Sequence, residues 1–183
     1  MQKQKKQILS GRIAALILCF AIFAAAAAPV SARAASNEGL TLTYNGKTAV
    51  VDIPEKPVTF AQIQEAFGTP ANSYRWAPDI PQNTTMCHEY KENGFLFSFR
   101  EEPGYDWLSD VKIKITSKKA ALNGIKVGMS YSSVKRKLEK NYGESLVTVQ
   151  KNKKKIKLKY GDYLPVEYTF TNGKVSKIYF WHS

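Results

Sequence analysis

The chain has 183 residues, of which 44% are hydrophobic and 12% aromatic, and carries 27 Lys/Arg against 15 Asp/Glu for a net charge of +12. That apolar share, with no long polar tract, excludes a disordered chain. Two cysteines are too few for a disulfide-rich scaffold.

Residues 1–6 hold three lysines, an apolar run follows over 13–28, and Pro29-Val30-Ser31 leads to the small-x-small triplet Ala32-Arg33-Ala34. This order predicts a secretory signal peptide spanning 1–34 and cut after Ala34. The run is shorter than the about 20 residues a membrane span needs and is largely alanine. An uncleaved anchor is the alternative, and the one route by which this chain would meet a membrane. Cys19 sits inside the run after Leu16-Ile17-Leu18, which does not suit a lipid-bearing cysteine. Cleavage leaves 149 residues and Cys87 alone, enough for one core or two small ones sharing an interface. An exported chain without an internal disulfide fits a bacterial secreted or cell-surface protein.

Charge is unevenly placed. From 36 to 117 there are seven Lys/Arg against eleven Asp/Glu, and from 118 to 183 fifteen against four. Such asymmetry implies an anionic partner, or docking of the acidic half on the basic half.

A hairpin is predicted over 35–57, with strands at 40–44 and 47–53 around Asn45-Gly46, a dipeptide that suits a type I′ turn. A helix follows. Thr59 can cap it, Gln62 completes a capping box, Phe60, Ile63 and Phe67 share one face, and Gly68 ends it. Residues 69–84, broken by Pro70, Pro78 and Pro81, read as irregular loop. Strands are predicted at 86–91, 95–100 and 110–116, the last alternating Val111, Ile113 and Ile115 with Lys112 and Lys114, a half-buried strand with a basic outer face.

The order then repeats. Ser130 caps a second helix striped by Tyr131, Val134 and Leu138 and ended by Gly143. Strands follow at 146–150, 154–160, 165–171 and 174–181, with Asn172-Gly173 as a second hairpin turn. The helix starts Thr59 and Ser130 lie 71 residues apart. The pattern predicts an α+β fold of two tandem units over 58–120 and 121–183, each a short helix packed on an antiparallel β-meander. A single α+β domain with two helices on one sheet is the alternative.

No catalytic or metal-binding motif is present. The chain has no HExxH, CxxC, P-loop or GxSxG, and its histidines, His88 and His182, stand apart. Cys87 and His88 are adjacent on a strand, so their side chains point to opposite faces and cannot act as a dyad. Cys87 reads as a buried strand residue. The acidic cluster Glu101, Glu102, Asp106 and Asp110 around Pro103-Gly104 reads as a solvated tip rather than a calcium loop. The candidate binding residues are basic and aromatic. Lys155, Lys157 and Lys159 line one face of a strand whose Ile156, Leu158 and Tyr160 face the core. Lys177, Tyr179 and Trp181 share a face of the last strand. A lysine-lined edge also blocks strand-to-strand aggregation, whereas an aromatic and basic sheet face binds proteins or glycans.

The segment Gly124-Ile125-Lys126-Val127-Gly128-Met129-Ser130-Tyr131-Ser132-Ser133-Val134 resembles the helix entry of β-lactamase-inhibitor-protein-like (BLIP-like) domains and of small outer-membrane lipoproteins of the SmpA/OmlA (BamE) type. The closing Thr171-Asn172-Gly173-Lys174-Val175 fits the same unit. Val58-Thr59-Phe60-Ala61-Gln62-Ile63 with Phe67-Gly68 is a fainter copy. The resemblance implies a protein-binding sheet surface, not an active site. It departs from BLIP-type units in lacking a disulfide, and from the lipoproteins in lacking a lipid-bearing cysteine.

The expectation is an exported, non-enzymatic binding protein without cofactor or metal. It engages a protein or an anionic envelope polymer, and not nucleic acid. An envelope assembly module whose halves dock, or an enzyme or enzyme inhibitor using Cys87 or His88, are the rival readings.

Overall fold

The structure is a computed structural model that describes residues 39–52, 56–77, 79–82, 84–105, 108–150, 152–159 and 165–183. The predicted signal segment 1–34 lies outside them.

The N-terminal hairpin forms as its turn chemistry dictates. Strands β1 (Leu40–Tyr44) and β2 (Lys47–Asp52) pair antiparallel. Asn45 and Gly46 between them take φ of 49° and 79°, the double positive φ of a type I′ turn. The hairpin is not free-standing, because β1 also pairs with β7 (Ala120–Leu122), which forms its own hairpin with β8 (Ile125–Lys126). That second hairpin turns at Asn123-Gly124, with φ of 53° and 66°. The sequence pattern did not single out β7 and β8, which are too short to display alternation.

Helix α1 (Phe60–Phe67) carries the expected capping box. The Thr59 hydroxyl accepts from the Gln62 amide at 3.3 Å, and the Gln62 side chain accepts from the Thr59 amide at 2.9 Å. Its Ile63 is fully buried. Thr59→Ala removes half of this box and is expected to cost about 1 kcal/mol, read as a fall in the urea midpoint at unchanged slope.

The segment predicted as loop over 69–84 contains strand β3 (Asn72–Arg75). All four residues are exposed, so no hydrophobic alternation marks it. Pairing with β4 (Met86–Glu92) holds it in place. Strands β5 (Phe95–Glu101) and β6 (Leu108–Ile115) continue the meander. At the β4–β5 turn, Gly94 has a φ of +78°, and a Cβ there would stand 2.8 Å from Ser117 Cβ. Gly94→Ala therefore combines left-handed strain with a clash and is expected to cost more than about 1 kcal/mol, read by thermal denaturation.

Helix α2 (Tyr131–Tyr142) starts at Ser130, whose hydroxyl accepts from the Ser133 amide at 3.3 Å, and it buries Val134 and Leu138. A 3-10 turn, Glu144–Leu146, leads into β9 (Val147–Val149), followed by β10 (Lys155–Leu158), β11 (Val166–Thr171) and β12 (Lys174–His182). The strand predicted over 154–160 ends at Leu158. Lys159 follows it, and its amide donates to the Leu146 carbonyl at 2.8 Å. Tyr160 lies outside the described residues.

The fold is α+β with antiparallel sheets. One sheet has the order β2-β1-β7-β8, and the other β3-β4-β5-β6-β12-β11-β10-β9. The larger sheet is asymmetric in burial. Phe97, Phe99, Ile113, Ile156, Tyr168, Ile178 and Phe180 on its inner face belong to one core cluster with Ile63 of α1, Val134 and Leu138 of α2 and Leu40 and Leu42 of β1. The alternate residues of the same strands form the outer face.

Candidate functional site on the outer face of the large sheet

Side chains directly opposite across an antiparallel ladder lie on one face, so the register builds the site. One row runs Lys91, Leu96, Lys114, Tyr179, Glu167, Lys157, Thr148 across β4, β5, β6, β12, β11, β10 and β9. A second runs Asn72, Glu89, Ser98, Lys112, Trp181. Lys155, Thr169 and Lys177 form a third. The predicted residues Lys155, Lys157, Lys177, Tyr179 and Trp181 thus share one face. Lys159, beyond the end of β10, is exposed but stands in none of these rows.

The aromatic run of β12 resolves by alternation: Phe180 is fully buried, Tyr179 half-buried, and Trp181 37% exposed. Lys177 stacks on Tyr179, its ammonium 5.6 Å from the ring centroid. Lys155 and Lys157 are not free cations. Each reaches a Glu167 oxygen at 3.0 Å. Burial alone would raise the Glu167 pKa, but hydrogen bonds and charge from both lysines outweigh it and hold the carboxyl below its usual range. The sign follows from linkage. A depressed folded pKa stabilises above the usual value of 4.5, and the gain disappears as pH falls through the folded value. Glu167→Gln is therefore expected to be less stable than wild type at pH 7, with the gap closing below about pH 4.5, compared by urea midpoints at pH 7 and 3.

The cations without a carboxylate at ion-pair distance among the described residues include Lys91, Lys112 and Lys114. Lys112 and Lys114 stand at the middle of the sheet, opposite Trp181 and Tyr179 respectively. A recess of about 350 Å³ opens beside Lys114, lined in part by Lys91, Glu92, Leu96 and Thr116. Sequence alternation had marked Lys112 and Lys114 as outward, yet they were not among the predicted site residues, because the pairing of β6 with β12 is not local.

Next to this lysine field lies an aromatic cluster. Asp110 sits at a bulge between β5 and β6 with a φ of 48°, a conformation costing a non-glycine residue about 1–2 kcal/mol. The bulge aims its carboxylate at two partners. Trp181 Nε1 donates to one oxygen at 2.7 Å, and Arg100 Nε lies 3.3 Å from the other. The Arg100 guanidinium stacks over Trp76 at 4.8 Å, a cation–π contact. Tyr74, 49% exposed, pairs with Cys87, which pairs with Arg100. Burial pushes the Cys87 thiol up, away from a reactive thiolate.

His88 points to the inner face, opposite Cys87. It is buried, its ring stacks on Phe60 at 4.0 Å, and its Nδ1 lies 2.9 Å from Ser73 Oγ and its Nε2 3.0 Å from Glu101 Oε2. This is the hydrogen-bond order of a Ser–His–acid triad with the ring nitrogens exchanged. Its evident effect is to tie the edge strand β3 to β4 and β5. His182 stands apart on β12, with Nδ1 3.4 Å from Asp52 Oδ2.

A cavity of about 750 Å³ lies by the start of α2 and is lined in part by Ser130, Ser132, Lys153, Lys154 and Asn172. Comparisons with protein-family models, curated proteins and solved structures returned no match.

Proposed function

We propose that the protein is an exported, non-enzymatic binding protein that engages an anionic partner, a protein or an envelope polymer, through the outer face of its eight-stranded sheet. The observation that carries this reading is the central pair of contacts in which unpaired Lys112 and Lys114 stand beside Trp181 and Tyr179. Among the described residues, Lys91, Arg100, Lys112, Lys114, Lys155, Lys157, Lys174 and Lys177 face outward, against the carboxylates of Glu89, Asp110 and Glu167. A cationic sheet face with exposed aromatic rings attracts anions at long range and offers rings for close contact.

We further propose that the chain is two tandem units, as the BLIP-like resemblance implies. In support, the element order hairpin, helix, four strands occurs twice. The strand orders of both sheets read symmetrically about β1–β7 and β6–β12. The candidate face is then centred where the two units meet.

Retention on a phosphocellulose column tests the binding reading. Lys112→Glu with Lys114→Glu is expected to elute at markedly lower salt than wild type. Arg136→Glu with Lys140→Glu on α2 changes net charge equally and is expected to shift elution little. Equal shifts would mean that net charge, not this face, drives retention.

A further inference from the structure

We propose that the occupant of this face is a linear sugar-phosphate polymer lying across the strands, an inference that rests on the binding role just assigned to the face. Its phosphates meet Lys91, Lys112 and Lys114, with Lys157 at the far end of the row, and its sugar rings lie on Tyr179 and Trp181. Four observations converge on this chemistry. The row from Lys91 to Lys157 crosses five strand spacings, about 24 Å at about 4.8 Å each, a length suited to an extended chain rather than a small molecule. The recess lined by Lys91, Leu96 and Lys114 also holds Glu92, whose carboxylate is paired with Lys119 at 3.3 Å, so both lysines of its lining remain available to a phosphate. The carboxylate interrupting the row, Glu167, is held by Lys155 and Lys157, so it does not leave an unpaired negative charge under the polymer. Trp181, 37% exposed, and the half-buried Tyr179, with Lys177 over its ring, stand outward beside the cations and offer apolar surface to a sugar.

A protein partner fits less well. Interface centres are depleted of lysine, and here two unpaired lysines occupy the centre. Lysine serves better as a point charge for phosphate, where released counterions drive binding. The leader-like pattern at 1–34 is that of an exported chain, and the oligonucleotide competitor below tests nucleic acid directly.

The test is fluorescence anisotropy of labelled poly(N-acetylglucosamine-1-phosphate) fragments of about eight repeats, titrated with the protein in 50 and 200 mM salt. Three competitors accompany it: the uncharged N-acetylglucosamine oligomer, a thymidine oligonucleotide of equal phosphate count, and poly-glutamate. The expected result is binding that weakens at least tenfold between the two salt concentrations. Lys112→Glu with Lys114→Glu, and the milder double glutamine variant, should each weaken it at least tenfold with unchanged near-UV circular dichroism. All three competitors should compete at least tenfold less well than the unlabelled polymer. Equal competition by poly-glutamate, lost in the same variants, would leave the face as a binding site and overturn the sugar-phosphate assignment. Equal competition by the oligonucleotide would likewise overturn it in favour of nucleic acid. Binding of the polymer unaffected by either variant, or no binding by any of the polyanions, would remove both the assignment and the face.

Discussion

Phe180→Ala is expected to lower stability by about 3–5 kcal/mol, the usual loss for a phenylalanine deleted from a close-packed core. Phe180 is fully buried and stands opposite Ile113. It therefore lies at the β6–β12 ladder, which joins the strand run β3-β4-β5-β6 to β12-β11-β10-β9 in one sheet. Because the core is one cluster, the loss is expected to appear in a single cooperative transition at lower denaturant, with tryptophan fluorescence and circular dichroism coinciding. A loss below about 1 kcal/mol, or two transitions of which one is unmoved, would mean that the two strand runs do not share a core.

His88→Ala is expected to cost about 2–4 kcal/mol. It deletes a buried ring stacked on Phe60, and with it the hydrogen bonds to Ser73 and Glu101. The effect should be local as well as global. Strand β3 is a sheet edge with four exposed residues, held by its ladder, by Asn72 and Tyr74 donating to Glu89 at 3.2 and 3.5 Å, and by the contact of Ser73 with this buried histidine. Hydrogen exchange is expected to speed up most in the amides of Asn72–Arg75, with β11 following only the global loss. Exchange in β3 equal to wild type would remove the positioning role given to His88. The same variant also bears on the triad-like contact. If Ser73 reacted with a fluorophosphonate probe in wild type but not in His88→Ala, the histidine would be activating that hydroxyl and the non-enzymatic reading would fall.

Much of the fold was legible because it is written in local chemistry. Asn45-Gly46 and Asn172-Gly173 demand positive φ, and both turns form. Thr59 with Gln62 closes the capping box, and the stripes Ile63 and Val134-Leu138 are the buried helix faces. What stayed hidden depends on partners distant in sequence. Strand β3 has no apolar side to bury, so only its pairing with β4 makes it a strand. The hairpin of β7 and β8 is too short for a period, although Asn123-Gly124 carried its turn signal.

The site divides in the same way. Alternation placed Lys155 and Lys157 outward, and they are, but it could not show that both pair with the single carboxylate of Glu167 on the neighbouring strand. The triplet Tyr179-Phe180-Trp181 is aromatic at every position, and only the pairing of Phe180 with Ile113 decides which ring goes inward. The unpaired centre of the face, Lys112 and Lys114 beside Trp181 and Tyr179, arises from a ladder between strands far apart in the chain. The left-handed Asp110 that anchors Trp181 has no marker in the sequence beyond the tolerance of aspartate for that conformation.

Lysine acetylation footprinting tests the central claim most directly. The protein is labelled with and without saturating poly(N-acetylglucosamine-1-phosphate), and each lysine is quantified by mass spectrometry. Protection at Lys112, Lys114, Lys91 and Lys157, greatest at Lys112 and Lys114, with Lys153, Lys154 and the lysines of α2 unchanged, is the predicted result. Protection centred on Lys153 and Lys154, beside the cavity at the start of α2, with Lys112 and Lys114 fully reactive, would contradict it.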